Sequence, residues 1–262
     1  MNKPSRKNHS HHPVRKAFSR SAHRYDELAK IQEHVGAQLL AKLYREKGHS
    51  RILDIGMGTG VLTQNMVRLF PKAEVVGIDF AEGMVHCAKK RSSDYRVVQA
   101  DALSLPFHKA AFDLIISNLA YQWVRPLAKA FAENNRCLIP GGIFRASLFG
   151  RHSLYELFES FEAAGAKEFF LERLPSLADV KKALAASGMH IQDVRAQTMT
   201  YYFHDMWQLL LWLKKIGANT LPRRGYLGKR ILMKANEYYF QKFKSRPGVA
   251  VTFEVIWVEA KK

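Results

Sequence analysis

An α/β fold, built on a mostly parallel sheet with helices on both faces, is predicted by three features of this 262-residue chain. Short apolar runs alternate with amphipathic runs of helix length between residues 50 and 150, the pattern of parallel strands joined by crossover helices. The first apolar run, SRILDIG, leads into a turn with glycine at every second position, Gly56, Gly58 and Gly60. The next three runs each close on a polar residue, Asp79, Asp101 and Asn118. Sheets of this kind bind ligands outside the carboxyl ends of their strands, where strand order reverses.

The elements follow in order. SRILDIG (50–56) is a buried strand ended by glycine, and VLTQNMVRLFP (61–71) is a helix halted by Pro71. AEVVGID (73–79) is the second strand. EGMVHCAKKR (82–91) is the second helix, and its basic end complements the helix dipole. YRVVQAD (95–101) and FDLIISNLA (112–120) are the third and fourth strands. LAKAFAENNRCLIPGG (127–142) reads as helix and turn, and IFRASLF (143–149) as the fifth strand.

Two further segments flank this core. In KAFSRSAHRYDELAKIQ (16–32) and just before it, Val14, Phe18, Ala22, Tyr25 and Ala29 recur every three or four residues. That spacing makes one face of an amphipathic helix, with Arg15, Lys16, Arg20 and Arg24 largely on the other. MWQLLLWLKKIGAN (206–219) is apolar nearly all round, with Gly217 as its stop, and predicts a helix buried on two sides or lining an apolar channel. The expected organisation is a disordered basic, His-rich tail (1–13) before a single domain (14–262). Within the domain, residues 14–45 form lid helices, 50–150 the binding core, and 151–262 the substrate-side helices and last strands, including VAVTFEVIWVE.

Composition narrows the function classes. No apolar run of about 18 residues exists to span a membrane, and the amino terminus lacks the apolar stretch of a secretory signal. Cys87 and Cys137 form no CxxC pair, which points to a reducing, cytoplasmic setting and no zinc or other metal site. The 41 basic against 23 acidic residues give a formal charge of +18. Such a surface attracts nucleic acid, an anionic membrane or an acidic protein, and charge alone does not choose among them.

Glycines in the strand-to-helix turn allow positive φ and close approach of a ligand to the backbone. The first-turn amides of the helix that follows are available to an anion. A dinucleotide fingerprint would need glycine or alanine at position 61, which is Val61. The spacing from Asp54 is instead DxGxGxG, which resembles motif I of class I S-adenosylmethionine-dependent methyltransferases. The resemblance implies a seven-stranded, Rossmann-like fold with an amino-terminal lid helix and a helical insertion before the last strand. It implies S-adenosyl-L-methionine as cofactor and S-adenosyl-L-homocysteine as product. The methionine end would lie on Gly56–Gly60 with Asp54 helping to hold its amino group. Asp79, at its strand end, suits the ribose hydroxyls. Asp101 would read the adenine amino group, with Phe80 and Ala102 beside the cofactor and Asn118 near the opening turn.

AFSRSAHRYD (17–26), SNLAYQWV (117–124) and LKKIGAN (213–219) together resemble the malonyl-acyl-carrier-protein O-methyltransferases of biotin synthesis. The resemblance runs from about residue 14 to the final strand. It implies methylation of the free carboxylate of a malonyl thioester, masking a charge so that fatty-acid synthesis enzymes accept the chain. A carboxylate of ordinary pKa, about 4, is ionised at neutral pH and needs no general base, in keeping with the absence of any Ser–His–Asp or Cys–His pattern. Candidates to hold the second carboxylate oxygen are Lys214, Arg145, Tyr25 and Gln122; Trp123 would face the acceptor or pack in the core. An acidic acyl carrier protein, or malonyl-coenzyme A, is the expected partner. Basic clusters at Arg15–Arg24 and at Lys214, Lys215, Arg223, Arg224, Lys229 and Arg230 would steer it.

Two rival readings remain open. A nucleic-acid methyltransferase suits the charge, but NLAYQW replaces the N/D-P-P-Y/F motif used on exocyclic amino groups, and no separate RNA-binding module is visible. A non-catalytic assembly factor with this fold would have less need of the intact glycines and Asp79.

Overall fold

The computed structural model describes residues 12–44, 48–166, 174–218 and 228–262. The first three polypeptide turns of the sheet follow the predicted alternation: β1 (Arg51–Ile55), α4 (Val61–Leu69), β2 (Glu74–Asp79), α5 (Glu82–Arg91) and β3 (Arg96–Gln99). Then come β4 (Phe112–Asn118), α6 (Leu127–Cys137) and β5 (Leu138–Phe149). β5 starts directly after α6, so LIPGG belongs to the strand rather than to a turn. Ahead of the sheet lie α1 (His12–Ser21), α2 (Tyr25–Leu28) and α3 (Lys30–Leu43). After β5 come α7 (Tyr155–Ala163), α8 (Leu177–Ala186), β6 (His190–Phe203), α9 (Met206–Lys215), α10 (Lys229–Phe243), the two-residue β7 (Lys244–Ser245) and β8 (Gly248–Lys261).

Seven strands lie in the order β3-β2-β1-β4-β5-β8-β6, and β7 adds only a short hairpin arm to β8. β1 pairs in parallel with β2 and β4, β2 with β3, and β4 with β5. β8 pairs antiparallel with both β5 and β6. Because adjacent residues of a strand point to opposite faces, Ile52 and Leu53 enter different cores. Leu53, Ile55, Ile115, Phe131, Phe144 and Leu184 pack on one face beside α6 and α8. Ile52, Leu39, Met66, Val85, Leu114 and Trp257 pack on the other beside α3, α4 and α5. Each such side chain, fully buried, contributes about 1.5–3 kcal/mol. The HIQDVRAQTMTYYF segment declares no strand by its pattern, because β6 is an edge strand with most of its residues exposed or half-buried.

The amino-terminal helix is broken. A 3₁₀ turn at Ala22–Arg24 and the non-helical backbone of Ala29 divide residues 12–43 into α1, α2 and α3. Ser21 Oγ donates back to Phe18 O and also to Ile216 O, the kind of local bond that bends helices. The apolar face survives the break: Val14, Ala22 and Ala29 are buried, while Arg15, Lys16, Arg20 and Arg24 are exposed. Helix α1 begins at His12, two residues before the expected domain boundary; the rest of the tail, with His9 and His11, lies outside the described residues, as do Arg223 and Arg224. In α9 the chain stops as expected, with Gly217 at φ +85° just past the last turn. The helix is not buried on two sides, however: Met206 and Leu209 face inward, whereas Trp207 and Leu211 are exposed. Cys137 is buried and Cys87 half-buried. Among the described residues no helix is long and apolar enough to cross a membrane.

Candidate active site

Strand order reverses between β1 and β4, and a cavity of about 750 Å³, counted out to its mouth, opens there at the carboxyl ends of the strands. That is the size range of small-molecule sites. Its wall includes Gly56 and Gly58 after β1, Asp79 and Phe80 at the end of β2, and Asp101 and Ala102 after β3. Asn118, Tyr121 and Trp123 follow from β4, Met84 comes from α5, and Phe18 and Tyr25 come from α1 and α2.

The three glycines serve different ends. A Cβ on Gly56 would lie 2.3 Å from Ala120 Cβ, and one on Gly60 would lie 2.2 Å from the Tyr95 hydroxyl. Those two positions need glycine for close packing. Gly58 has φ +58°, and a Cβ there would meet nothing within 4 Å. Of the three, Gly58 alone leaves open space, and it lines the cavity.

Asp79 is fixed by the turn it faces. Its Oδ2 accepts from Gly58 N at 3.0 Å and its Oδ1 from Ala81 N at 2.8 Å, and the Phe80 amide adds a third backbone bond, so that of its roughly four lone-pair sites about one stays open. Burial pushes its carboxyl up to about 6 against those backbone bonds. Asp54 lies behind the turn rather than on the cavity wall. Thr63 Oγ1 donates to its Oδ2 at 2.6 Å, and its buried Oδ1 has no partner among the described residues. Burial, opposed by the Thr63 bond and reinforced by Asp79, pushes Asp54 up to about 7. Asp101 accepts from Leu103 N through Oδ1 at 2.9 Å, an Asx-type turn that aims the carboxylate at the cavity.

Tyr25 is half-buried against the cavity, with its ring edge-on to Phe18 at 6.3 Å. Burial, then the charges of Asp79 and Asp26, raise its hydroxyl pKa, so it stays protonated. Trp123 meets Phe18 edge-on at 5.6 Å, which joins α1 to the β4 loop at the cavity.

Several candidates stand elsewhere. Asn118 borders the cavity, but its amide nitrogen donates to Gln32 O and its oxygen accepts from Ser147 Oγ, both at 2.8 Å; it ties α3 to β4 and β5. Gln122 is buried, donates to Leu119 O at 2.7 Å, and braces its own turn without lining the cavity. Arg145 is 4% exposed and pairs through Nε with Glu259 Oε2 at 3.2 Å, within the sheet. Lys214 is exposed on the last turn of α9, off the cavity wall. Charge selected these two basic residues; position removes them from the pocket. Phe18 and Met84 are among the wall residues that motif reading passed over. Phe18 was visible only as part of an apolar helix face, and Met84 had no signal beyond its helical period.

Similarity to known proteins agrees with this architecture. A methyltransferase-domain family profile matches residues 53–146. The malonyl-acyl-carrier-protein O-methyltransferase of Geobacter sulfurreducens is 33% identical over 262 residues, 95% of this chain and 98% of that protein. The biotin biosynthesis bifunctional protein BioHC of Teredinibacter turnerae is 29% identical over 95% of this chain, which spans 46% of that longer protein. Among solved structures, geranyl diphosphate C-methyltransferase from Streptomyces coelicolor, bound to S-adenosyl-L-homocysteine, superposes with a TM-score of 0.54 at 16% identity. The match covers 87% of this chain and 79% of that one. The fold is that of class I methyltransferases, and the chain belongs to the family of malonyl-acyl-carrier-protein O-methyltransferases.

Proposed function

We propose that this chain is an S-adenosylmethionine-dependent enzyme that methylates the free carboxylate of a malonyl thioester on acyl carrier protein, in biotin synthesis. The observation that carries the reading is the single cavity wall on which Gly58, Asp79 and Asp101 meet the lid aromatics Phe18 and Tyr25. These residues suit the cofactor chemically. Gly58 leaves room for its methionine end, Asp79 keeps acceptor capacity for a ribose hydroxyl beside its three backbone bonds, and the partnerless Asp54 Oδ1 is an acceptor of the kind an ammonium group requires. Asp101, Phe80 and Ala102 would border the adenine.

When bound, the cofactor supplies an electrophilic methyl group on a good sulfonium leaving group. The protein's part is to orient and to exclude water. Tyr25, held protonated, would donate to one oxygen of the acceptor carboxylate while the other attacks. Phe18 and Trp123 would keep water from the reacting pair. Mass spectrometry of malonyl-loaded carrier protein after incubation with enzyme and S-adenosylmethionine tests this; an added methyl is expected, and an unmodified carrier would overturn it.

For the partner, we infer an acidic carrier protein, drawn by the exposed Arg15, Lys16, Arg20 and Arg24 on the outer face of the lid. Lys214 and Lys215 at the end of α9, and Lys229 and Arg230 at the start of α10, are exposed as well. Reversing Arg15, Arg20 and Arg24 should raise KM for malonyl carrier protein, less so as salt shortens the Debye length below about 10 Å. Malonyl-coenzyme A as substrate should be affected less, and an equal loss with both would place the defect in folding.

A further inference from the structure

The lid is pinned at several points. Three of them lead away from the cavity. Gly83 N donates to Ser19 Oγ at 3.3 Å, Ser21 Oγ to Ile216 O at 3.4 Å, and Trp212 Nε1 to Leu28 O at 2.9 Å. These bonds seat the lid on α5 and on the end of α9. The fourth is different in kind. Asp26, the residue after Tyr25, reaches the glycine turn itself: Thr59 Oγ1 donates to Asp26 Oδ1 at 2.5 Å. Arg91, at the end of α5, donates through Nη2 to Asp26 Oδ2 and through Nε to Thr59 O at 2.7 Å. Both polar ends of Thr59 are therefore taken, one by the lid and one by the arginine that holds the lid.

Thr59 is 4% exposed and sits between Gly58 and Gly60. Tyr25 and Gly58 both line the cavity, and their sequence neighbours, Asp26 and Thr59, are bonded to each other. An isolated ion pair with Asp26 45% and Arg91 27% exposed would contribute little. Here one guanidinium spans two acceptors and one carboxylate takes two donors, a closed three-residue ring in which each bond fixes the geometry of the others.

We propose that Asp26, Arg91 and Thr59 are positioning residues, a latch that couples closure of the lid to the shape of the glycine turn and so sets how fast cofactor enters and product leaves. The latch rests on the reading of the cavity as an S-adenosylmethionine site. With the latch made, Tyr25 and Phe18 are held over the turn; with it broken, the remaining ties to α5 and α9 keep the lid attached but leave that edge free to lift.

The test is displacement of bound S-adenosylhomocysteine in the full chain, followed by stopped-flow tryptophan fluorescence, since Trp123 lines the cavity. Asp26→Asn and Arg91→Ala should each release it about tenfold faster, the loss expected for one charge-assisted bond. Thr59→Val, which removes only the hydroxyl, should act in the same direction and serves if either charge variant fails to fold. The double variant Asp26→Asn/Arg91→Ala should be no faster than the quicker single one, because the ring is already open. Glu33→Gln, on α3 beyond the break at Ala29, should match wild type. Wild-type release rates in folded latch variants, or additive effects in the double variant, would overturn the latch alone. A wild-type chain that binds no S-adenosylhomocysteine would overturn the cofactor reading and the latch with it.

Discussion

One sheet carries two halves that pack equally well and do different work. Among the described residues, the cavity wall runs from Phe18 to Val124, on α1 and α2, on α5 at Met84, and at the carboxyl ends of β1 to β4. None comes from β5, β8 or β6, which make up the antiparallel half. In the parallel half all strands end on the same edge, and the chain leaves β1 in one direction and β4 in the other, which opens a crevice between them. In the antiparallel half strand ends alternate between edges, and that region is closed by its own contacts. Gly150 N donates to Glu254 O at 2.8 Å, and the Glu156 carboxylate accepts from Thr252 N at 3.1 Å. The contrast teaches that topology, more than charge, decides where this protein can hold a ligand.

The most severe way to test that contrast is Gly58→Val. A β-branched residue at φ +58° is strained and would fill the cavity, so S-adenosylmethionine binding should disappear from calorimetry while the fold persists. Measurable binding in a folded variant would show that the open side of the turn is not the site. Asp79→Ala comes next. Losing a charge-assisted bond to the ribose should weaken binding by about 1.5–3 kcal/mol; unchanged affinity would remove Asp79 from the site.

Asp54 offers a pH signature. Its folded pKa, about 7, lies above the ordinary 3.8, so the native state holds the extra proton. Stability from this group is therefore lost as pH rises from about 4 to about 7, by roughly 3 kcal/mol. Thermal melts across that window should show Asp54→Asn gaining on wild type as pH climbs, and a constant difference would mean the carboxyl is ionised throughout. Tyr25→Phe should lower turnover about tenfold, or about 1.4 kcal/mol, with cofactor affinity nearly intact; wild-type turnover would retire the hydroxyl. The smallest effect belongs to Lys214→Ala, which should leave kcat with a small malonyl thioester unchanged, because the side chain is exposed and off the cavity. A large fall in kcat would bring α9 into the site after all.

Much of this was legible beforehand because strand ends announce themselves locally. An apolar run that stops at Asp79, Asp101 or Asn118 places each residue at the edge where a parallel sheet binds ligands, and all three border the cavity. What those side chains do there was not legible. Asn118 is spent on Gln32, 86 residues away, and on Ser147, 29 away. Gln122 and Trp123 are adjacent in sequence, yet the 3₁₀ turn at Tyr121–Trp123 sends one into the interior and the other to the cavity.

The chain by itself determined the α/β alternation, the glycine turn and the apolar face of the amino-terminal helix, since each is written in residues a few positions apart and follows from backbone period and turn chemistry; the family was legible as a resemblance carried by three segments, 17–26, 117–124 and 213–219. Only the tertiary structure decided which glycine faces open space, which carboxylates are already bonded and where the lid touches down. The bonds that join Asp26 to Thr59 and Arg91 span 33 and 65 residues. No local pattern encodes such a pairing, because it exists only once α5, the glycine turn and the broken helix have been packed around the same sheet edge.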